Sequence, residues 1–272
     1  MNRRFLILYY WLQGRGHSVD FMELARLLVK PSSASIARKF IRQIREVGDY
    51  LEVTLTDIPD LLYWPRQLPL ADLHQVVAET FDPSDWHCYQ YEKTPVLAGD
   101  TVVDAGCAEG LFALAVARRC RRLFLIEPSP AFIESLQRTF SNFLPGTVEI
   151  MPFALGQDAH RARLDNQSIG SRINENGERI VEVRPLDDLL NDCQAVSFIK
   201  IDVEGSEQQV LEGARRTIRH YRPRMAIACY HEGNDYQEMI RLVRSLDSSY
   251  QFHIKGLTQF AGRPVMIHFW VP

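Results

Sequence analysis

Between Thr101 and Glu127 the chain reads TVVDAGCAEGLFALAVARRCRRLFLIE: a strand, a glycine turn, a helix, and a second strand that ends on an acid. The β-branched run Thr101 to Val103 stops at Asp104, and Gly106 and Gly110 follow with the spacing G-x-x-x-G. From Leu111 onward Leu111, Leu114, Ala115 and Ala117 recur at helical spacing, and Leu123 to Ile126 closes on Glu127. This is half of a nucleotide-binding α/β unit. Glycines at the turn let a ligand approach the backbone, and an acid at the next strand tip suits a ribose diol.

The glycine spacing narrows the ligand. A dinucleotide fold prefers G-x-G-x-x-G, whose close glycines and helix N-terminus hold a pyrophosphate. Here Cys107 follows Gly106 directly, Ala108 stands where the second glycine would be, and Glu109 sits at the helix start. A carboxylate there repels a pyrophosphate but tolerates, or binds, a cationic amino-acid tail. S-adenosylmethionine (SAM) has such a tail, a ribose for Glu127, and no phosphate. A nicotinamide-dependent oxidoreductase is disfavoured on the same grounds.

The second informative stretch is FIKIDVEGSE, Phe198 to Glu207. A strand over Val196 to Ile201 carries Asp202 and Glu204 at its tip, Gly205 permits a sharp turn, and Ser206 or Glu207 starts a helix with Val210, Leu211 and Ala214. Two carboxylates at a strand's carboxyl end are costly to desolvate without a task or a partner, and that edge is where open α/β sheets bind ligands. Lys200 shares the face of Asp202 and is placed to pair with a carboxylate. The next strand, Met225 to Cys229, ends in Tyr230, His231 and Glu232, which brings His231 beside Asp202.

Around these blocks the pattern completes an α/β sheet. A helix follows Pro128 and Ser129 to about Phe140, and Val148 to Met151 reads as a third strand ending in Pro152, Phe153 and Ala154. An aromatic and a small residue there suit an adenine ring. Residues 158–184 read as a β-hairpin excursion, Leu186 to Leu190 as a brief helix, and Tyr236 to Leu246 as a helix capped by Asp235. Tyr250 to Ile254 and Val265 to Trp270 form a closing antiparallel pair.

The first fifty residues differ in charge, with nine basic residues against four acidic, in a chain whose net charge is −3. Overall the balance argues against a general nucleic-acid binder. Phe5 to Leu12 is too short to span a bilayer and lacks a cleavage site, so a buried helix is expected there. Asp20 caps a helix carrying Phe21, Leu24, Leu27 and Leu28, which Pro31 ends. A second helix is expected from Ser33 or Ser35, with Ile36, Phe40, Ile41 and Ile44 on one face and Arg38, Lys39, Arg42 and Arg45 largely on others. Gly48 stops it, and Leu51 to Leu55 alternates like a strand. That order is also the order of a winged helix, so a SAM-binding regulatory or DNA-binding protein is the alternative. A helix over Leu70 to Phe81 precedes a connector, in which Tyr89 to Glu92 is placed to form one wall of the ligand site. The five cysteines (Cys88, Cys107, Cys120, Cys193, Cys229) lack a C-x-x-C pair, which argues against a disulfide framework or structural zinc and for a reducing cytoplasm.

VVDAGCAEG, IEPSP, FALG, LDDLL and above all FIKIDVEGSEQQVLEGA resemble the FkbM family of SAM-dependent methyltransferases. The resemblance covers Gly99 to the C-terminus and leaves residues 1–80 outside it. It implies a class I methyltransferase fold, an α/β Rossmann-like seven-stranded sheet of order 3-2-1-4-5-7-6 with strand 7 antiparallel. The expected division is 1–80 as a mainly helical accessory domain (lid, dimerisation or winged-helix-like), 81–98 as connector, and 99–272 as the methyltransferase domain. By position, Asp104, Gly106 and Gly110 line the methionine part of SAM, with Cys107 and Pro128 beside the cofactor. Glu127 takes the ribose hydroxyls, Phe153 and Ala154 the adenine, and Asp202 sits beside the transferring methyl. The implied reaction is methylation of a hydroxyl on a sugar, glycan or natural-product acceptor; a homodimer is expected separately, from the N-terminal accessory domain. Asp202 and His231 are the candidate bases, since alignment and removal of one proton carry such a transfer. By analogy with catechol-type methyltransferases, a divalent ion on Asp202, His231 and Glu232 is possible but not favoured, because a hard ion prefers oxygen ligands throughout.

Overall fold

The computed structural model describes residues 3–167, 170–173, 177, 179–190 and 195–272. The first layer of the chain holds the helices α1 (Arg3–Tyr10), α2 (Phe21–Val29) and α3 (Ser33–Ala37), then strands β1 (Ile41–Val47), β2 (Tyr50–Leu55) and β3 (Leu62–Pro65), then helix α4 (Leu70–Phe81). The helix expected through Ile44 is thus corrected to one short turn of helix and a strand. The cause is a bulge in β1, where Ile41 faces Leu55 and Gln43 faces Thr54, so Arg42 is the extra residue. The bulge turns Ile41 and Ile44 to one side at a three-residue interval, which imitates helical spacing. Gly48, φ +58°, makes the hairpin turn between β1 and β2 instead of a helix stop. Asp20 caps α2 with a full capping box, in which Glu23 returns the hydrogen bond. α1 is corrected too: only Ile7 is buried, while Phe5, Tyr9 and Leu12 are exposed.

The central sheet carries β4 (Thr101–Ala105), β5 (Arg122–Ile126), β6 (Val148–Met151), β11 (Phe198–Ile201), β12 (Arg224–Ala228), β13 (Gln251–Lys255) and β14 (Met266–Trp270). Its order is β13-β14-β12-β11-β4-β5-β6, with β14 antiparallel to both its neighbours. Read from the other edge, this is the expected 3-2-1-4-5-7-6. Between β4 and β11 run helices α5 (Leu111–Ala117), α6 (Pro130–Thr139) and α7 (Leu186–Leu189). After β11 come α8 (Glu207–Glu212), α9 (Arg215–Tyr221) and, after β12, α10 (Tyr236–Leu246). The expected hairpin is larger than two strands: β7 (Ala154–Leu155), β8 (His160–Gln167), β9 (Gly170–Ile173) and β10 (Arg179–Arg184) form a four-stranded sheet of order β7-β10-β8-β9.

Alternation along the strands divides the core in two. Val102, Leu123, Leu125 and Phe198 face one cluster, which continues without a break into Ile7, Leu24, Val53, Trp64 and Leu73 of the first layer. Val103, Phe124, Ile199 and Ile227 face the other, under Val210, Ile218 and Val243 of the later helices. Cys88, Cys107, Cys120 and Cys229 carry free thiols, and Cys193 lies outside the described residues. Among the described residues no helix is long and apolar enough to cross a membrane.

Candidate functional site

Parallel strands bring their carboxyl ends to one edge, so the residues just past β4, β5, β11 and β12 meet there. Asp104 and Lys200 stand opposite each other in register on β4 and β11. Lys200 Nζ donates to Asp104 Oδ1 at 2.8 Å and to the Gly106 carbonyl at 2.7 Å, and both side chains are buried. The sequence expectation that Lys200 pairs with a carboxylate is met by Asp104 across the strands. Burial raises the Asp104 pKa against the pull of Lys200, and Asp104 Oδ2 is buried without a hydrogen-bond partner among the described residues.

Gly106 joins the two motifs. Its φ is +72°, and a Cβ there would lie 1.9 Å from the carbonyl oxygen of Asp202, so only glycine fits. Gly110, φ +81°, starts α5, and a Cβ on it would strike Leu136. Glu127 turns back over the glycine loop: Ala108 N donates to one oxygen at 3.1 Å and Ser129 N to the other at 2.8 Å. Burial raises both Glu109 and Glu127 to about 7.

A cleft runs from this cradle to Asp202. Its lining includes Gly106, Cys107, Glu127, Pro128, Phe153 and Ala154 at one end. At the other it includes Asp202, Glu204 and Tyr230, and it is roofed by Gln75 and Glu79 of α4 and by His87 and Tyr89 of the connector. Phe153 has the Arg184 guanidinium 5.6 Å from its ring centroid. Asp104 and Gly110 stand behind this wall and not in it. Tyr89 donates to Asp202 Oδ2 at 2.5 Å, whereas Tyr91 stacks on His253 away from the cleft. The connector therefore supplies one wall through Tyr89 alone of the two tyrosines.

Asp202 is a meeting point of charges. His87 Nε2 lies 3.5 Å from Oδ2, and His231 Nε2 lies 3.8 Å from Oδ1. Burial would raise the Asp202 pKa, but His87, His231 and Lys200, with the Tyr89 hydroxyl, bring it below the ordinary value. His231 does not line the cleft; it lies behind Asp202, with Nδ1 2.8 Å from Glu207 Oε1 and Nε2 3.2 Å from Glu204 Oε2. Burial favours the neutral ring, but the close Glu204 carboxylate, the hydrogen bond to Glu207 and the charge of Asp202 outweigh it and push His231 up to about 11. In this arrangement the ring already holds the proton that a base would accept.

The expected metal set does not assemble. Glu232 is exposed and outside the group, and among the described residues Asp202, Glu207 and His231 are the ones whose donor atoms lie within 4.8 Å of one another. Glu207 is fully buried and already accepts from Val203 N, Gly205 N, His231 Nδ1 and Asn234 Nδ2. Its lone pairs are spent on holding the turn after β11, so these residues do not fit a divalent ion. The fit to SAM is better. The glycine cradle and the two buried carboxylates that line it, Glu109 and Glu127, suit a ligand with hydroxyls and positive charge and no phosphate.

His87, Glu79 and Tyr230 were not legible as site residues. His87 and Glu79 precede every motif, and Tyr230 reads as the end of a strand. Glu207, read only as a helix start, is the buried anchor of His231.

This strand order is that of the class I methyltransferases. A family model described as the methyltransferase FkbM domain matches residues 104–252, just over half of the chain. The chain belongs to the FkbM methyltransferase family. The structure is similar to that of methyltransferase FkbM from Methylobacillus flagellatus KT, with a TM-score of 0.53 and 20% identity over 93% of this chain and 61% of that one. The present chain thus spans less than two thirds of that protein. It is also similar to an rRNA methylase from Streptococcus thermophilus (TM-score 0.42, 14% identity, 65% and 89% covered). A magnesium protoporphyrin IX methyltransferase from Synechocystis, solved with SAM bound, matches with a TM-score of 0.38 (12% identity, 64% and 71% covered). The last two scores are too low to carry more than that statement. No curated protein matches the chain.

Proposed function

We propose that the protein is a SAM-dependent O-methyltransferase acting on a hydroxyl of a sugar, glycan or natural-product acceptor. The observation that carries the reading is the single cleft joining the Gly106–Glu127 cradle to Asp202 under the roof of α4 and the connector. SAM, when bound, supplies an electrophilic methyl group. Glu127 would hold the ribose hydroxyls, Glu109 and the Gly106 loop the amino-acid tail, and Phe153 with Ala154 the adenine. Asp202, kept ionised by its neighbours, would orient the acceptor hydroxyl and take its proton as the oxygen–methyl bond forms and the sulfur–methyl bond breaks. His231, expected as a second base, would act from behind Asp202 by holding it charged and in place. His87, Tyr89 and Tyr230 would close the site and keep water from the reacting pair.

Within this reading residues 1–80 form an accessory layer that covers the cleft through α4, in a cytoplasmic homodimer. The DNA-binding alternative loses its support, because the basic helix is absent and Arg45 of β1 pairs with Glu52 of β2. Calorimetric titration with SAM, with and without EDTA, tests the proposal. Micromolar binding unchanged by EDTA is expected. Absence of binding in both, with NADH or duplex DNA binding instead, would overturn it.

A further inference from the structure

The N-terminal helices expose an apolar face that the cleft does not use. Phe5, Tyr9 and Leu12 recur at one-turn spacing along α1 and the π turn after it, and are 62%, 52% and 69% exposed. Phe21 and Met22 at the start of α2 are 66% and 60% exposed, and Phe21 lies against Trp11, with ring centroids 6.4 Å apart. The five side chains thus belong to neighbouring turns of two packed helices, and monomeric proteins seldom leave such a group in water. The bland explanation, a helix buried on all sides, is excluded by these exposures.

Charge points to the occupant. Arg3, Arg15 and Arg26 are exposed beside the apolar residues, and none forms an ion pair with a described carboxylate. Asp20 and Glu23 at the start of α2 are engaged with each other in its capping box, and against these two acids the described stretch through Arg26 carries Arg3, Arg4, Arg15 and Arg26. In a chain that is negative as a whole, this local positive balance around exposed aromatics marks a surface for an anionic, apolar partner. An aromatic and leucine face edged by arginine is the pattern of a helix lying in the interface of a negatively charged bilayer. Position agrees. Arg15 donates to the Ala261 carbonyl at 3.0 Å, and His17 Nε2 lies 3.0 Å from the Gly262 carbonyl. That loop joins β13 to β14 and, because Met266 stands opposite Ala228, lies at the carboxyl edge of β12, the edge on which the cleft is built.

We propose that α1 and the start of α2 form a peripheral membrane-binding face for anionic lipid. Resting on the methyl-transfer reading, the shared edge would also set the cleft close to hydroxyls carried on lipid headgroups; the binding itself stands without that reading.

The test is co-sedimentation of the full chain with phosphatidylcholine vesicles, and with vesicles in which about a third of the lipid is phosphatidylglycerol. Binding to the anionic vesicles only, or much more strongly, is expected, and added salt should weaken it. The double variant Leu12→Ser/Phe21→Ser should lower partitioning at least tenfold, and Arg3→Gln/Arg26→Gln should remove the preference for anionic lipid. All four side chains are exposed, so the variants should keep the wild-type melting temperature. Three results would overturn the proposal: no sedimentation with either vesicle, equal sedimentation of wild type and L12S/F21S, or a dimer by light scattering that dissociates in L12S/F21S without any vesicle binding. SAM titration of the same variants separates this outcome from a failure of the methyltransferase reading.

Discussion

Replacing Lys200 by Met keeps the length of the stem and deletes the ammonium that faces Asp104. The side chains of the pair are 5% and 1% exposed, so the carboxylate left behind has no route to water. Stranding one member of such a pair costs about 3–5 kcal/mol. A chain of 272 residues has an unfolding entropy of roughly 0.57 kcal/mol/K, so a loss of about 4 kcal/mol lowers the melting temperature by about 7 °C. The sign of the pH dependence follows from Asp104. Its pKa is already raised by burial, and without Lys200 it rises further. A carboxyl whose folded pKa lies above its unfolded value penalises folding once it must ionise, so the deficit is full at high pH and shrinks as pH falls. Urea denaturation of wild type and K200M, followed by circular dichroism at about pH 8 and about pH 5.5, should therefore show the larger gap at the higher pH. The double variant D104N/K200M, which strands no charge, should recover most of the loss at high pH. A K200M deficit below about 1 kcal/mol at the higher pH, or one equal at both, would refute the assignment of Lys200 as the partner that makes Asp104 tolerable.

Two further outcomes probe the cradle. Gly106→Ala sets a methyl 1.9 Å from the Asp202 carbonyl at a φ of +72°, so the variant should lose the SAM titration heat and melt lower; an unchanged titration would show that the turn is not the binding loop. Glu109 and Glu127 sit at about 7, so a cationic ligand should pull them toward the ionised form and release protons on binding near neutral pH. Titrations in phosphate and Tris should then give different apparent heats, with the difference reduced in Glu127→Gln. Equal heats in both buffers would count against a cation beside these carboxylates.

What the sequence disclosed follows from which interactions are local. The central sheet was legible because its strands are short apolar runs bounded by turns, and β6, α4 and α10 have the bounds their patterns imply. Asp104 and Asp202 were legible because each sits where a buried strand meets a glycine turn, and Glu127 because it closes the apolar run of β5. β1 was misread because its bulge places Ile41 and Ile44 at an interval that a helix shares. The placement of His87, Glu79 and Glu207 around Asp202 was hidden because each is defined only by a distant partner. His87 reaches Asp202 over more than a hundred residues, and Glu207 meets His231 only because β12 brings His231 to it. The protonation of His231 is likewise a product of tertiary neighbours, which composition and spacing do not encode.

The roof of the cleft has a bearing on how relatives of this chain are compared. Gln75, Glu79, His87 and Tyr89 all precede residue 104, where the family match begins, whereas the cradle and Asp202 fall within it. The ceiling of the cleft thus lies ahead of the stretch that the family model matches, and the floor within it. Two chains can agree along every FkbM motif and still present different chemistry to whatever enters under α4. Sorting such proteins by the hundred residues ahead of the glycine turn would group them by what roofs the cleft, where sorting by the motifs groups them only by what they share.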